Sequence, residues 1–350
     1  MVRPCWNAQR LSFKILILSV LVAVPMVTSQ SPALANDLTW KGKNVTVTIG
    51  FATGGNYDYV GRLTSRHLVK HLPGKPNGVA VNMPGAGSIR AANYIFNSAP
   101  KDGTAVGIMS SSIALEEALG TPNIQYKSAE FGWIGRVSMI LQVLATLDPA
   151  KAKNIEDVRE IETTMGSTGA GSPSDGYPRL LNGLIGTKFK IIHGYSSSAD
   201  SMLAMERGEV DGGLPSWNTV MRTKPGWIAE KRIHPLVQFV LQRSPDLPRT
   251  PTSVELGKTS EERAVLEFYT SGEEFGRSIL APPGMAPAAL VALRSAFDQM
   301  LKDEEFLAEV KKVKLEFNPL EGAKLQQIAV ATVNATRETI EKTRSLLGRQ

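Results

Sequence analysis

The sequence predicts an α/β fold with two lobes and a ligand cleft between them, and three observations lead to this prediction. Short runs of β-branched residues alternate with segments whose apolar residues recur at helical spacing, which is typical of a mainly parallel sheet covered on both faces. The chain has 350 residues, more than one hydrophobic core usually serves. An apolar, extended stretch at 131–147 separates two such series, as expected where a chain crosses between lobes.

The first 35 residues are expected to be a secretory signal peptide rather than part of the fold. Three basic residues, the last of them Lys14, precede an apolar run at 15–27, and Ala-Leu-Ala at 33–35 is a suitable cleavage site. The apolar run is short for a bilayer span, although a retained anchor is the alternative. We predict export to the periplasm with cleavage after Ala35, which removes 35 of the 350 residues and leaves 315.

The composition of the predicted mature chain excludes several kinds of site. Without the three basic residues of the leader, the formal net charge falls from +6 to +3, which does not suggest nucleic-acid binding. The only cysteine, Cys5, lies in the leader, so disulfides, thiolate metal ligands and cysteine catalysis are not expected. His67 and His71 share one predicted helix face and are expected to be solvated. We predict no metal, no cofactor and no catalytic residue.

The elements follow in two series. The first contains predicted strands at 45–51, 78–82 and 104–109 and helices at 57–71, 88–97 and 113–119. The second contains predicted strands at 161–166, 188–193 and 233–241 and helices at 176–186 and 198–207. A strand at 277–281, a helix at 286–301 and one long amphipathic helix at 320–347 complete the chain. We assign 36–140 and 275–350 to lobe 1, and 141–274 to lobe 2.

The segment FATGGNYDYVGR at 51–62 joins the first predicted strand to the first helix. Gly54 and Gly55 permit backbone conformations that present amide N–H groups to a ligand, and the helix N-terminus adds partial positive charge. A Walker loop would need Gly-Lys-Ser/Thr, and a dinucleotide fingerprint would need differently spaced glycines. Asp58 would also repel a phosphate. We therefore expect a small carboxylate rather than a nucleotide, although a tight turn with a helix cap is the simpler alternative.

Further small or hydroxyl-rich loops follow other predicted strands. They are NMPGAGS at 82–88, Ser110-Ser111-Ser112, GSTGAGS at 166–172, Tyr195-Ser196-Ser197-Ser198 and GGLPS at 212–216. Because ligands in such folds bind beyond the carboxyl ends of the strands, these loops are expected to face one cleft. The predicted ligand-binding residues are Thr53, Gly54, Gly55, Asn56, Tyr57, Asp58, Ser110 and Ser111 from lobe 1, and Ser167, Thr168, Gly169, Tyr195, Ser196 and Ser216 from lobe 2.

The chain resembles the receptors of tripartite tricarboxylate transporters, also called Bug-type receptors, in six segments: FATGGNYDYVGR, NMPGAGS, APKDGTAVGI from Ala99, GSTGAGS, GYSSSADSMLAMERGEVDGG and LAPPGMAP. The motifs occur in the family's order and span most of the predicted mature chain. The resemblance implies a type II periplasmic-binding-protein-like fold whose two α/β lobes close on a small organic carboxylate. It also implies delivery of that ligand to a two-component membrane permease, or a sensing role in two-component regulation.

Several residues near the predicted pocket depart from the family's pattern. Thr53 stands where the family commonly has Pro, and Asn56 and Tyr57 stand where small or hydroxyl residues are common. Tyr195-Ser196-Ser197 replaces a Tyr-Lys-Gly motif, and the following helix carries Met202 and Met205. The ligand is therefore not inherited from a relative, and Tyr57 is expected either to stack on a ligand ring or to line the wall. We predict a monomeric, non-enzymatic receptor; the alternatives are a sensing partner and an exported hydrolase or lyase.

Overall fold

The computed structural model describes residues 39–54, 56–169, 172–195, 197–313 and 315–349, and its strands form two separate sheets. In chain order the strands are β1 (Asn44–Ile49), β2 (Asn77–Asn82), β3 (Ala105–Ile108), β4 (Gly132–Ser138), β5 (Val143–Leu147), β6 (Thr163–Ser167), β7 (Phe189–His193), β8 (Gly212–Gly213), β9 (Ile233–Gln238), β10 (Arg277–Ala281) and β11 (Leu320–Glu321).

The α-helices cover the faces of these sheets. In chain order they are α1 (Asn56–His67), α2 (Ile89–Asn97), α3 (Ile113–Ala118), α4 (Asp157–Glu160), α5 (Pro173–Ile185), α6 (Ser198–Glu206), α7 (Trp217–Thr223), α8 (Pro225–Ala229), α9 (Ser260–Thr270), α10 (Pro287–Met300), α11 (Glu304–Lys312), α12 (Gly322–Val333) and α13 (Arg337–Leu346). In the part of the chain that the structure describes, none of these helices has both the length and the apolar character needed to cross a bilayer.

Each sheet is mixed, which corrects the expectation of mainly parallel sheets. The first has the order β11-β4-β10-β3-β1-β2, and only β1–β2 and β1–β3 pair in parallel. The second has the order β7-β6-β8-β5-β9, and only β6–β7 and β6–β8 pair in parallel. In each sheet, the strand that enters from the other sheet pairs antiparallel with both of its neighbours: β10 with β3 and β4, and β5 with β8 and β9.

The hydrophobic cores explain why the strand predictions succeed. Val45, Val47 and Ile49 of β1 are completely buried, and Val60 and Leu63 of α1 pack against the same core. Burying one such side chain contributes about 1.5–3 kcal/mol. The alternation of apolar residues in the sequence therefore indicates which face of the strand is buried. A separate core lies under the second sheet, around Leu180, Leu236 and Val237 of α5 and β9.

The chain passes between the sheets at two places. It leaves β4 after Ser138 and enters β5 at Val143, and it returns from α9 through 271–276 into β10. The first sheet thus contains strands from 44–138 and 277–321, and the second contains strands from 143–238. The exact lobe boundaries at 140/141 and 274/275 stay a prediction.

The predicted helix at 320–347 is wrong as a single element, because it is broken between α12 and α13. The Thr336 side chain accepts a hydrogen bond from the Thr339 amide and starts the new helix, as an N-cap residue does. The break also redirects the apolar face. Leu325 and Ala329 of α12 pack in a core of the first sheet, whereas Ile340 of α13 packs against the core of the second.

Candidate functional site

Three predicted loops meet at one edge of the first sheet, and we call their described residues the first rim: 50–54 after β1, 83–88 after β2 and 109–112 after β3. Ser88 connects them, because its hydroxyl accepts a hydrogen bond from the Ser110 amide at 2.8 Å. The loop after β1 also packs tightly against Ser88, because a Cβ added to Gly50 would lie only 2.3 Å from Cβ of Ser88. Ser88 itself is buried and has a φ of 74°. The three loops therefore behave as one unit.

Ser88→Ala should lower the free energy of unfolding by about 1–2 kcal/mol, since the Ser110 amide loses its acceptor inside the protein. Urea denaturation measures the change. The exposed Ser345 offers a matched control, and Ser345→Ala should shift the unfolding free energy by less than about 0.5 kcal/mol. Equal effects of the two substitutions would contradict the role assigned to Ser88.

Asp58 organises the first rim from inside the protein. Its carboxylate accepts hydrogen bonds from the Gly54 amide at 3.0 Å, Nε of Arg62 at 3.0 Å and Nδ2 of Asn82 at 2.8 Å. Asn82 also donates to the carbonyl oxygen of Phe51 at 2.9 Å. Burial alone raises the pKa of Asp58, but the hydrogen bonds from Arg62, Gly54 and Asn82 outweigh it and lower the pKa to about 2. The Gly54 amide is thus engaged within the protein.

Tyr57 links the first rim to the second crossing between the sheets. Its ring stacks on Phe51 with centroids 4.3 Å apart, and its hydroxyl accepts a hydrogen bond from the Ser111 amide at 3.1 Å. The same hydroxyl lies 3.5 Å from the carbonyl oxygen of Gly276. Burial raises the pKa of the Tyr57 phenol, although the Arg277 charge opposes this. Phe51 covers one face of the Tyr57 ring, and both expectations for Tyr57 stay predictions.

Arg277 is a buried cation that the sequence reasoning missed. Its guanidinium carbon lies 5.6 Å from the centre of the Tyr57 ring, and Nη1 donates to Oγ of Ser138 at 3.1 Å. Its Nε is buried and has no partner among the described residues. Burial lowers the pKa of Arg277, yet arginine remains charged in proteins. A single arginine at the start of a strand carries no motif that would have revealed this position.

The described residues of the loops after β6, β7 and β8, at 168–169, 172, 194–195, 197 and 214–216, form the second rim. Ser174, at the start of α5, is the centre of its hydroxyl network. Its Oγ accepts a hydrogen bond from the Thr168 amide at 3.1 Å and lies 3.2 Å from Oγ of Ser167 and 2.8 Å from Oγ of Ser172. Ser167 and Thr168 are therefore brought together as predicted residues, while Ser174 was not anticipated.

A cavity of about 210 Å³ opens beside the second rim. Gln142, Gly166, Thr168, Ser174 and Ser201 contribute to its wall. The Gln142 side chain is the chemically informative one, because its Oε1 is buried and has no hydrogen-bond partner among the described residues. An unpaired buried acceptor is costly. No local pattern in the sequence indicates Gln142, which lies in the apolar crossing before β5.

The other predicted residues have different placements. Tyr195 lies near the cavity, since a Cβ on Gly166 would come within 3.1 Å of its ring, and Ser216 pairs with Gln142 through a backbone bridge. Gly169 donates its amide to Oγ of Ser167 at 3.2 Å. Thr53 and Asn56 are exposed on the first rim. Gly55 and Ser196 lie outside the described residues.

A second, smaller cavity of about 90 Å³ lies between the first rim and the start of α5. Ser110 and Ser111 line it from the first rim, and Pro173, which also lines the larger cavity, contributes from α5. Glu273 and Tyr177 complete its inner wall, with the Tyr177 hydroxyl 3.2 Å from Oε1 of Glu273. Burial raises the pKa of Glu273 to about 7 despite the Tyr177 hydrogen bond and the Arg277 charge.

The prediction that His67 and His71 are solvated is wrong for His67, which is 1% exposed. Helix α11 covers it, and Nε2 of His67 lies 2.9 Å from Oε1 of Glu309. Ligand atoms of His67, Asp303 and Glu305 lie within 4.8 Å of one another, the spacing of a possible metal site. The Lys70 ammonium already pairs with Glu305 there and lies 3.3 Å from Nδ1 of His67. We assign this cluster to helix packing.

Comparison with known proteins gives one family and a consistent set of folds. The model of the family described as tripartite tricarboxylate transporter family receptor matches residues 56–345. A UPF0065 protein of Agrobacterium vitis is 28% identical over 222 residues, which cover 61% of this chain and 61% of that relative.

Solved structures align with a larger part of this chain than that relative does. A TctC solute-binding protein from Polaromonas aligns with a TM-score of 0.65 and 18% identity over 87% of this chain and 98% of its own. MatC from Rhodopseudomonas palustris, with bound malate, aligns with a TM-score of 0.58 and 20% identity over 87% of this chain and 98% of its own. A further R. palustris protein, with adipate, aligns with a TM-score of 0.61 and 19% identity over 87% of this chain and 97% of its own. At these identities the likeness shows the fold, a two-sheet α/β periplasmic-binding-protein fold.

Proposed function

The chain belongs to the tripartite tricarboxylate transporter receptor family, and from that membership we propose that it is a periplasmic receptor for a small organic carboxylate. The ligand is captured between the two rims and delivered to a two-component membrane permease. The family consists of solute-binding receptors, and the carboxylate class is supported by relatives of the same fold that hold malate and adipate. The permease and the monomeric state are parts of the proposal drawn from the family alone.

The larger cavity, which places Thr168, Ser174 and Ser201 beside the start of α5, is the observation that carries the proposal. Its volume is about 210 Å³, and the hydroxyls of these residues can donate hydrogen bonds to a carboxylate. Drug-sized ligand sites occupy roughly 300–1,000 Å³, so this volume suits a smaller metabolite.

The larger cavity lies at the carboxyl ends of parallel strands, where ligands bind in open α/β sheets. Helix α5, of 13 residues, begins beside it, and a helix N-terminus favours a carboxylate by roughly 0.3–1 kcal/mol. No comparable observation favours the hydrolase alternative: among the described residues, none of the histidine hydrogen bonds involves a serine hydroxyl. The sensing role would use the same cleft with another membrane partner.

A thermal-shift screen of mono-, di- and tricarboxylates tests the proposal. A ligand at about 100 times its Kd should stabilise the protein by about 2.7 kcal/mol, which corresponds to a Tm increase of roughly 5 °C or more. Gly166→Val should abolish that increase, since a Cβ there would lie 2.5 Å from Oγ of Ser201 inside the cavity wall. Gly226→Ala is the matched control, because its nearest neighbour, Oε1 of Glu230, would be 3.5 Å away.

Two results would count against the receptor proposal. One is the absence of any stabilising carboxylate across the screen. The other is a ligand whose Tm increase is unchanged in Gly166→Val, which would place its binding site away from the second rim.

A further inference from the structure

Two buried arginines connect the crossings between the sheets, which run at 139–142 and 271–276. Arg136 lies near the end of β4, before the first crossing, and Arg277 is the first residue of β10, after the second. Arg136 is 3% exposed and Arg277 is 6% exposed. A buried guanidinium stays charged, so each one needs partners close by. Those partners show what each arginine holds in place.

Arg136 has partners for all three of its side-chain nitrogen atoms. Its Nη1 donates to the carbonyl oxygen of Glu274 and lies 3.2 Å from Oε2 of the same residue. Its Nε and Nη2 donate to the carbonyl oxygen and to Oδ1 of Asn318, at 3.0 and 2.8 Å. These contacts fix the second crossing on β4.

Arg277 makes the reverse connection and is held less completely. Its Nη1 donates to Oγ of Ser138 at 3.1 Å and to the carbonyl oxygen of Met139 at 3.4 Å. The backbones approach closely here, since a Cβ on Gly276 would lie 2.3 Å from the carbonyl oxygen of Ser138. Nε of Arg277 is buried without a partner in the described part of the chain. Of the two arginines, Arg277 therefore loses fewer hydrogen bonds if the crossings rearrange.

Arg277 also faces the helix that follows the loop after β1. Its guanidinium carbon lies 5.6 Å from the centre of the Tyr57 ring, a distance at which a cation is attracted to an aromatic ring. The Tyr57 hydroxyl lies 3.5 Å from the carbonyl oxygen of Gly276 and accepts a hydrogen bond from the Ser111 amide at 3.1 Å. Ser111 belongs to the first rim. A continuous set of contacts thus joins the first crossing, Arg277, Tyr57 and the first rim.

We propose that Arg277 is a positioning residue for ligand capture: from the crossings it holds Tyr57 against the Ser111 amide and so keeps the first rim in its binding geometry. This inference rests on the proposed receptor function and adds to it a residue that acts through Tyr57. Lobes that close on a ligand move about the segments that join them. The same contacts would therefore transmit closure from the crossings to the first rim.

Amide hydrogen exchange of the ligand-free protein tests the coupling. Arg277→Met should speed exchange of the Ser111 amide at least about fivefold, because removing a cation beside an aromatic ring corresponds to a factor of roughly 2–30. Arg277→Lys should stay within about threefold of the parent protein, since its ammonium keeps a charge beside Tyr57. Urea denaturation with an unchanged m-value verifies that each variant is folded. If Arg277→Met does not fold, Arg277→Gln replaces it with the same expectation.

Arg294→Met is the matched control. Arg294 is a partly buried residue of α10 whose Nε donates to the carbonyl oxygen of Trp133 in β4, and among the described residues it contacts neither Tyr57 nor Ser111. Exchange of the Ser111 amide should therefore equal that of the parent protein. A similar acceleration in Arg294→Met and Arg277→Met would mean that loosening β4 at any point has this effect, and the inference would be wrong.

A double-variant cycle with Tyr57→Phe supplies a readout that a purely structural role would not change. Phenylalanine lacks the hydroxyl that accepts from the Ser111 amide, so the link to the first rim is already cut in this variant. Adding Arg277→Met should then produce no further increase in Ser111 exchange. Additive effects of the two substitutions would show that Arg277 does not act through Tyr57.

Stopped-flow fluorescence with malate, adipate, succinate and citrate tests the role in capture. For each of the four that binds the parent protein, dissociation from Arg277→Met should be at least about fivefold faster, while the association rate constant changes by less than about twofold. Unchanged dissociation, or unchanged Ser111 exchange, means that the inference is wrong and the carboxylate receptor stands. If none of the four binds and the broader carboxylate screen is also negative, the proposed function fails, and the capture role of Arg277 fails with it.

Discussion

Asp58→Asn should lower the free energy of unfolding by about 2–3 kcal/mol at pH 7 and weaken carboxylate binding at least tenfold. The stability loss follows from the pKa, which the folded protein lowers from 3.8 to about 2. Asparagine cannot pair with the Arg62 charge, and it accepts fewer hydrogen bonds than the three that hold Gly54, Arg62 and Asn82. The affinity loss follows because the first rim would no longer be fixed.

The pH dependence of this effect has a definite sign. A carboxyl group whose pKa is lowered by folding stabilises the protein above its unfolded pKa, and the stabilisation disappears as the pH falls through the folded value. The difference between the parent protein and Asp58→Asn should thus be complete above about pH 4 and should vanish towards pH 2. Urea denaturation at several pH values measures it.

Asp102 provides the control, because its side chain is 51% exposed and pairs with Lys43 at the surface. Asp102→Asn should cost less than about 1 kcal/mol and should leave ligand binding unchanged. A similar loss in both variants, or full ligand affinity in Asp58→Asn, would show that Asp58 does not hold the first rim in its binding geometry.

Glu273→Gln should have the opposite effect on stability and raise the free energy of unfolding by about 3 kcal/mol at pH 8. Folding raises the pKa of Glu273 from 4.5 to about 7, mainly through burial, against the Tyr177 hydrogen bond and the Arg277 charge, while Glu274 adds to the increase. Glutamine can still accept the hydrogen bond from Tyr177, but it carries no charge whose burial opposes folding.

The difference in unfolding free energy between the parent protein and Glu273→Gln should develop between pH 4.5 and about 7. A carboxyl group whose pKa is raised stabilises the folded state fully below its unfolded pKa and loses that contribution as the pH rises through the folded value. Stability of the parent protein should therefore fall relative to Glu273→Gln across this interval and remain offset above it. Glu316, whose pKa burial also raises to about 7, titrates in both proteins and cancels in the comparison.

Urea denaturation at pH 8 measures the change. If Glu273→Gln is instead less stable than the parent protein at pH 8, the buried carboxylate contributes to the fold itself and burial of its charge does not dominate.

Local sequence patterns were sufficient for the family, the α/β class and most elements. The family resemblance and the periplasmic-binding-protein fold class are confirmed. Strands such as β1 were predictable because Val45, Val47 and Ile49 all enter the core, so that burial leaves a pattern in adjacent residues. The helix at 320–347 failed for the complementary reason: its apolar residues serve two different cores, and periodicity does not report which core a residue contacts.

The sequence by itself determined where the rim loops begin, because a strand end followed by glycine and serine is a local feature. Which loop residues remain available to a ligand was decided only by tertiary structure. Asp58 turns inward because Asn82, from the next strand, donates to it. The Glu273 carboxylate stays without an ion pair in the described chain because Tyr177, 96 residues away, donates its hydrogen bond and Arg277 is bonded elsewhere. The charge balance of a buried group depends on neighbours that are distant in sequence, and no local pattern encodes it.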